Sequence, residues 1–99
     1  MTGYRLTRQA DDNLIQIYLQ GAEQFGIRQA DRYTSGLERS CSPLAGHPRM
    51  GCPADEIRAG LRRHEHAAHV VFYRETGDGV LIVAILHRRM LTDLDADEQ

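Results

Sequence analysis

Between Arg49 and Arg89 the chain carries seven of its twelve arginines (Arg49, Arg58, Arg62, Arg63, Arg74, Arg88 and Arg89), together with His64, His66, His69 and His87. Guanidinium groups hold phosphates and carboxylates, and imidazole transfers protons near neutral pH, so the pattern reads first as a nucleic-acid footprint or a catalytic cluster. The sequence contains no lysine, which excludes a P-loop phosphate cradle and a Schiff-base mechanism. Strand alternation places His64 and His66 on one face and leaves His69 undetermined. Neither cysteine is near in sequence, so solvent-exposed histidines are expected rather than a metal site. Gly77-Asp78-Gly79 is a turn and not a nucleotide loop, because no helical pattern follows it.

Charge weighs against the footprint. The net charge is −2 over 99 residues, but residues 1–91 hold 12 Arg and 10 Asp or Glu, a balance of +2, while 92–99 hold four acids and no base. A body this weakly basic is not built to bind nucleic acid as its main task. The length suits one domain, residues 1–91, followed by an acidic tail over 92–99 that is expected to be disordered in isolation. No apolar run nears the ~20 residues that span a bilayer, and the N-terminus lacks a signal-like apolar segment, so the expected location is cytoplasmic. Cys41 and Cys52 read as thiols serving as small hydrophobes.

The elements that position these side chains follow from periodicity. Tyr4-Arg5-Leu6-Thr7 alternates as a short strand and ends on a helix N-cap in Thr7, with Asp11 and Asp12 in the first turn. Ala10, Leu14, Ile17, Gly21 and Phe25 recur at helical spacing and predict a stripe facing a sheet. A second stripe, Ile15, Tyr18, Leu19 and Ala22, is more apolar surface than one-sided packing uses. Gly26 closes that helix, and Ile27, Ala30, Tyr33 or Thr34, Leu37, Cys41 and Leu44 predict a second. Pro43 either ends it near Cys41 or restarts it from Ser42. An irregular loop over 46–53 leads to a meander with strands at Ile57–His64, His69–Arg74 and Val80–His87. The last strand is apolar on both faces, Val80, Ile82, Ala84 and Leu86 against Leu81, Val83 and Ile85. Two helices cover one face only, so the surplus predicts a protein-binding surface, unless Met90, Leu91 and Leu94 fold back over it.

The blocks YRLT, DNLIQIY, FGIRQADRY, LAGHPRMG, EIRAGLRR, HVVFYR and VLIVAILHRRM, in that order over residues 4–90, resemble the ParE branch of the RelE/ParE toxins of bacterial toxin–antitoxin pairs. The resemblance implies an α+β fold, an N-terminal strand and helical hairpin packed on a small, mainly antiparallel sheet in the order βααβββ. It also implies a ParD-like antitoxin bound along an apolar groove, here Ile15, Tyr18, Leu19, Ala22, Leu81, Val83 and Ile85 framed by Arg58, Arg62 and Arg74. DNA gyrase is the implied target, with His87, Arg88, Arg89 and Met90 as the candidate contact, and operator DNA is reached only through the antitoxin. No cofactor, metal or membrane enters. RelE-like relatives instead cut mRNA on the ribosome, and that alternative needs a base and cationic stabilisers. His87 with Arg62, Arg74 and Arg88 is the one set available, but Arg88 stands where such members place tyrosine. Arg62 and Arg74 read more simply as partners of local acids such as Glu65 or Glu75.

Overall fold

Thr7 decides where the first strand stops and the first helix begins. In the computed structural model, which describes residues 3–91, the order is β1 (Gly3–Leu6), α1 (Arg8–Phe25), α2 (Ile27–Gly46), a 3-10 turn (Pro48–Met50), β2 (Cys52–Pro53), β3 (Arg62–His66), β4 (His69–Thr76) and β5 (Gly79–His87). The Thr7 hydroxyl accepts from the Ala10 amide at 3.1 Å, capping α1, and donates to the Val83 carbonyl at 2.8 Å. The Thr7 amide donates to the Ile82 carbonyl at 3.0 Å. One residue thus caps a helix and fixes that helix to the last strand.

Gly26, at φ 94°, is the whole connection between the helices. Gly21 lies against Ala30 so closely that a Cβ there would sit 3.4 Å from the alanine methyl, which lets the two helices approach. The second helix neither ends near Cys41 nor restarts at Ser42: it runs unbroken through Pro43 to Gly46. Leu44 and Ala45 continue the buried side of Leu37 and Cys41. The carbonyl that loses its donor to Pro43 belongs to exposed Arg39, where water replaces the bond.

The five strands lie in the order β1-β5-β4-β3-β2, with β1 parallel to β5 and every other pair antiparallel. This is the α+β arrangement the periodicities predict, with one more strand, the two-residue β2 drawn from the loop. The first meander strand starts later than expected, at Arg62 and not Ile57. Residues 54–61 instead close on themselves: the Ala54 and Leu61 backbones meet at 2.8 Å, Asp55 accepts from the Gly60 amide at 2.9 Å, and Gly60 takes φ 81°. Aspartate and glycine at those positions favour a turn over a strand.

Simple alternation fails in β5. Phe72 pairs with Ala84 and Tyr73 with Ile82, so Val83 is an extra residue in a β-bulge. The bulge turns Ile85 to the same side as Ile82 and Val80, where it is buried with Val71, Tyr73, Leu37, Leu44 and Ala10 beneath the helices. Ile85 therefore does not share a face with Leu81, contrary to the alternation. The Ile85 amide that the bulge frees donates to the Asn13 side-chain oxygen at 3.1 Å. The opposite face carries a smaller cluster of Val70, Phe72, Ala54 and Leu61, packed by Val83, Leu86 and Leu91. Leu91 thus folds over the second face as one of the two sequence readings has it, Met90 stays exposed, and Leu94 with the rest of 92–99 lies outside the described residues.

Asn13→Ala leaves the Ile85 amide unpaired at a part-buried site and is expected to lower unfolding free energy by about 1–3 kcal/mol. Chemical denaturation measures it, with the exposed Gln16→Ala as a control expected within about 0.5 kcal/mol of the parent.

Candidate functional site

The inner side of α1 is satisfied by Ala10, Leu14 and Ile17, all in or against the main core. Its outer stripe is not. Ile15 and Leu19, one turn apart, are 50% and 53% exposed, and Tyr18 and Ala22 beside them are half-buried. The stripe continues to the hairpin tip, where Phe25 and Ile27 flank Gly26, both mostly exposed, although periodicity assigns them to inward stripes. The last turn of α1 and the first of α2 thus leave these two side chains uncovered, which a helical wheel does not reveal.

On the open face of the sheet, Leu81 and Val83 are half-buried, and exposed Arg74 stands opposite Leu81 in the ladder. The arginines expected to frame a groove divide by what they hold. Arg62 is anchored: one terminal nitrogen donates to the Gly51 carbonyl at 2.6 Å and the Arg49 carbonyl at 3.1 Å, tying β3 to the loop before β2. The same loop is held from the other side by fully buried Tyr73, whose hydroxyl donates to the Pro48 carbonyl at 2.6 Å and accepts from the Gly51 amide at 2.9 Å. Gly51 has to be glycine, since a Cβ would come within 2.5 Å of that hydroxyl. Arg63 and Arg88, not Arg62 and Arg74, take up Glu65, at 3.2 and 2.8 Å. Arg58 is exposed on the 54–61 loop, and Arg74 makes no ion pair among the described residues.

Past β5 the chain turns helical at residues 88–91. The Arg89 amide donates to His87 Nδ1 at 3.1 Å, the Arg88 side chain donates to the Ala67 carbonyl at 3.0 Å, and Arg89 and Met90 are exposed. The set His87, Arg62, Arg74 and Arg88 does not converge. His87 lies on the helix side of the sheet, opposite His69, whereas Arg74 lies with Leu81 on the other side, and Arg62 and Arg88 are engaged elsewhere.

The histidines come together in another way. Register aligns His66 with His69 and His69 with His87, a row across β3, β4 and β5. His64, His66 and His69 are half-buried and not solvent-exposed as expected, and so is His87; α2 covers the row, with Tyr33 against His66 and His69. Tyr33 of α2 meets the row from above: its hydroxyl is 2.6 Å from His69 Nδ1, and its ring is 5.7 Å from His66 and 5.4 Å from His69. The His69 and His87 rings meet edge to face at 5.2 Å. Burial, then the charges of His87 and His66, push the His69 imidazole down to about 4. Burial raises the Tyr33 phenol, with a backbone hydrogen bond at Ala68 opposing. At neutral pH the phenol is therefore protonated and the imidazole neutral, and the two share one hydrogen bond at 2.6 Å whose direction is set by the imidazole tautomer. Burial likewise lowers His64, whose Nε2 is buried without a partner. Among the described residues no group of three His, Cys, Asp or Glu is arranged to hold a metal ion. Beside the row, between it and the hairpin tip, opens a cleft of about 830 Å3.

Residues 4–92 match the family model described as ParE toxin of type II toxin-antitoxin system, parDE. The chain is 40% identical to Toxin ParE1 of Caulobacter vibrioides over 90 residues, covering 91% of this chain and 93% of that one. It is 36% identical to Toxin ParE1 of Mycobacterium tuberculosis over 91 residues, covering 91% and 93%. In fold it resembles a chain of the chromosomal ParDE TA system from P. aeruginosa, with a TM-score of 0.75 at 22% identity over 88% of this chain and 96% of that one. A chain of the M. tuberculosis toxin-antitoxin complex RelBE2 gives 0.52 at 22% identity, over 88% and 91%.

Because the His69 imidazole sits below its unfolded value, the unfolded chain binds more protons between roughly pH 6.5 and 4, and stability falls as pH drops through that window. The melting temperature should decrease from pH 7 to pH 5, and His69→Gln should reduce that decrease by on the order of 5 °C, measured by thermal unfolding at each pH.

Proposed function

The chain belongs to the ParE family of toxins of type II toxin–antitoxin systems, and from that premise we propose that a ParD-like antitoxin neutralises it by covering the outer side of α1, and that the free toxin inhibits DNA gyrase without catalysis. The observation that carries the antitoxin surface is the unpartnered stripe of Ile15, Tyr18, Leu19 and Ala22. Single exposed leucines are ordinary on any protein, but an apolar stripe beside a side already packed is what a helix-in-groove contact uses. Leu81 and Val83, with Arg74 opposite Leu81 in the ladder, give the open sheet face an apolar and cationic character, and exposed Arg58 on the 54–61 loop adds a further cation; both suit an acidic amphipathic segment. Arg62 contributes through the loop it holds.

The target reading rests on the family together with what the chain lacks for RNA cleavage. It has no lysine, and its one base-and-guanidinium set is split between two faces of the sheet. His87, Arg88, Arg89 and Met90, at the end of β5 and in the helical turn beyond it, are the surface assigned to gyrase. No helix among the described residues is long and apolar enough to cross a membrane, and the toxin is assigned to the cytoplasm, where its target is found. The antitoxin supplies any contact with operator DNA.

Leu19→Glu or Leu81→Arg places an unpaired charge in a desolvated contact and is expected to weaken antitoxin binding by about a hundredfold, an effect of several kcal/mol, in calorimetric titration of folded variants. Unchanged affinity in both moves the interface elsewhere. Expressed without antitoxin, the chain is expected to arrest growth with filamentation, and the purified toxin to block gyrase supercoiling. Immediate translation arrest with mRNA cut at codons, abolished by His87→Ala, would overturn the gyrase reading in favour of a ribosome-dependent nuclease.

A further inference from the structure

We propose that the cleft between the hairpin tip and the β3–β4 turn binds a small planar anion of the nucleoside monophosphate class. None of the ten acidic residues among the described residues lines this cleft. Its floor is the histidine row, its rim carries the Arg32 guanidinium, and its walls are Ile17, Phe25 and Ala30. Four groups able to carry positive charge facing a space without a carboxylate form an anion site, and imidazoles with a guanidinium bind phosphate oxygens.

The remainder of the lining argues for a heterocycle on that anion. Gln20, Gln24 and Gln29 each present an amide donor and acceptor, the pairing that a base edge requires. Phe25 is 63% exposed, and an exposed aromatic ring beside an anion site is a stacking platform for a base. A cleft of about 830 Å3 falls within the range of roughly 300–1,000 Å3 for small-ligand sites.

The groups facing His69 set the pH behaviour. His66 comes from β3, His87 from β5, and Tyr33 and Arg32 from α2, while α1 contributes only uncharged residues to the lining. Burial, then the charges of His87 and His66, hold His69 neutral. A bound anion opposes that shift and raises the imidazole toward its ordinary value, so binding takes up protons and tightens as pH falls from about 6.5 toward 4. The proposal does not depend on the antitoxin surface, and it shares only His87 with the surface assigned to gyrase.

Calorimetry and amide chemical shifts on the full chain, with AMP, GMP, CMP and UMP as probes and adenosine and inorganic phosphate as controls, test it. At least one nucleotide should bind with Kd below about 1 mM at pH 6.5, roughly tenfold tighter than either control, and shift the amides of Gln24, Tyr33 and His66 to His69. Arg32→Gln and Phe25→Ala remove exposed side chains without touching the core, and each should weaken binding about fivefold or more, while His69→Gln should flatten the pH dependence. Inorganic phosphate binding as tightly as every nucleotide, affinity unchanged in both exposed variants, or no nucleotide binding at about 10 mM would each overturn the assignment.

Discussion

One extra residue in β5 organises this molecule. At Val83 the last strand gains a position its neighbour lacks, and the alternation of side chains is inverted from Ala84 onward. The freed backbone groups are taken up by α1: Thr7 holds the Val83 carbonyl and Asn13 the Ile85 amide, so the helix serves as a surrogate strand where β1 stops at Leu6. Without the inversion Ile85 leaves the core and His87 turns to the open side. The burial under the helices and the histidine row both follow from it.

The bulge also separates the sheet into two faces with different chemistry. Toward the helices lie the main core and, at its end, the imidazoles under Tyr33. Away from them lie a small apolar cluster and a set of arginines whose ion pairs with Glu65 are exposed and contribute at most about 1 kcal/mol each. Arg62 differs from these in kind, because its guanidinium is spent on backbone carbonyls of a loop that Tyr73 grips from beneath. Three of the seven arginines between Arg49 and Arg89 are therefore spent on the fold. Arg49, Arg58, Arg74 and Arg89 make no side-chain hydrogen bond or ion pair among the described residues.

Much of the architecture was legible in local patterns. Thr7 marks the start of α1, Gly26 the turn, and Thr76 to Gly79 the hairpin, because each is fixed by short-range chemistry. The outer stripe of α1 was also legible, since helical spacing shows two apolar sides and one sheet uses one. The facing of Ile85 and His87 was not, because a bulge is a long-range agreement between strands that leaves no local mark. The same holds for Tyr33 and His69, 36 residues apart, whose contact depends on register and helix docking together. Pro43 misled in the ordinary way: tertiary burial of Leu44 and Ala45 outweighs a propensity cost where the lost bond faces water.

The parallel pairing of β1 with β5 joins residues 3–6 to residues 79–82, nearly the full span of the described chain. Such a closure is slow relative to hairpin formation, and it is impossible while the chain is still being made without its last strand. Neither the bond from the Thr7 cap to the Val83 carbonyl nor the core around Ile82 exists on a chain that still lacks its last strand. A ribosome making this chain thus releases a polypeptide that acquires its working form only after synthesis, once residues 79–82 can pair with residues 3–6.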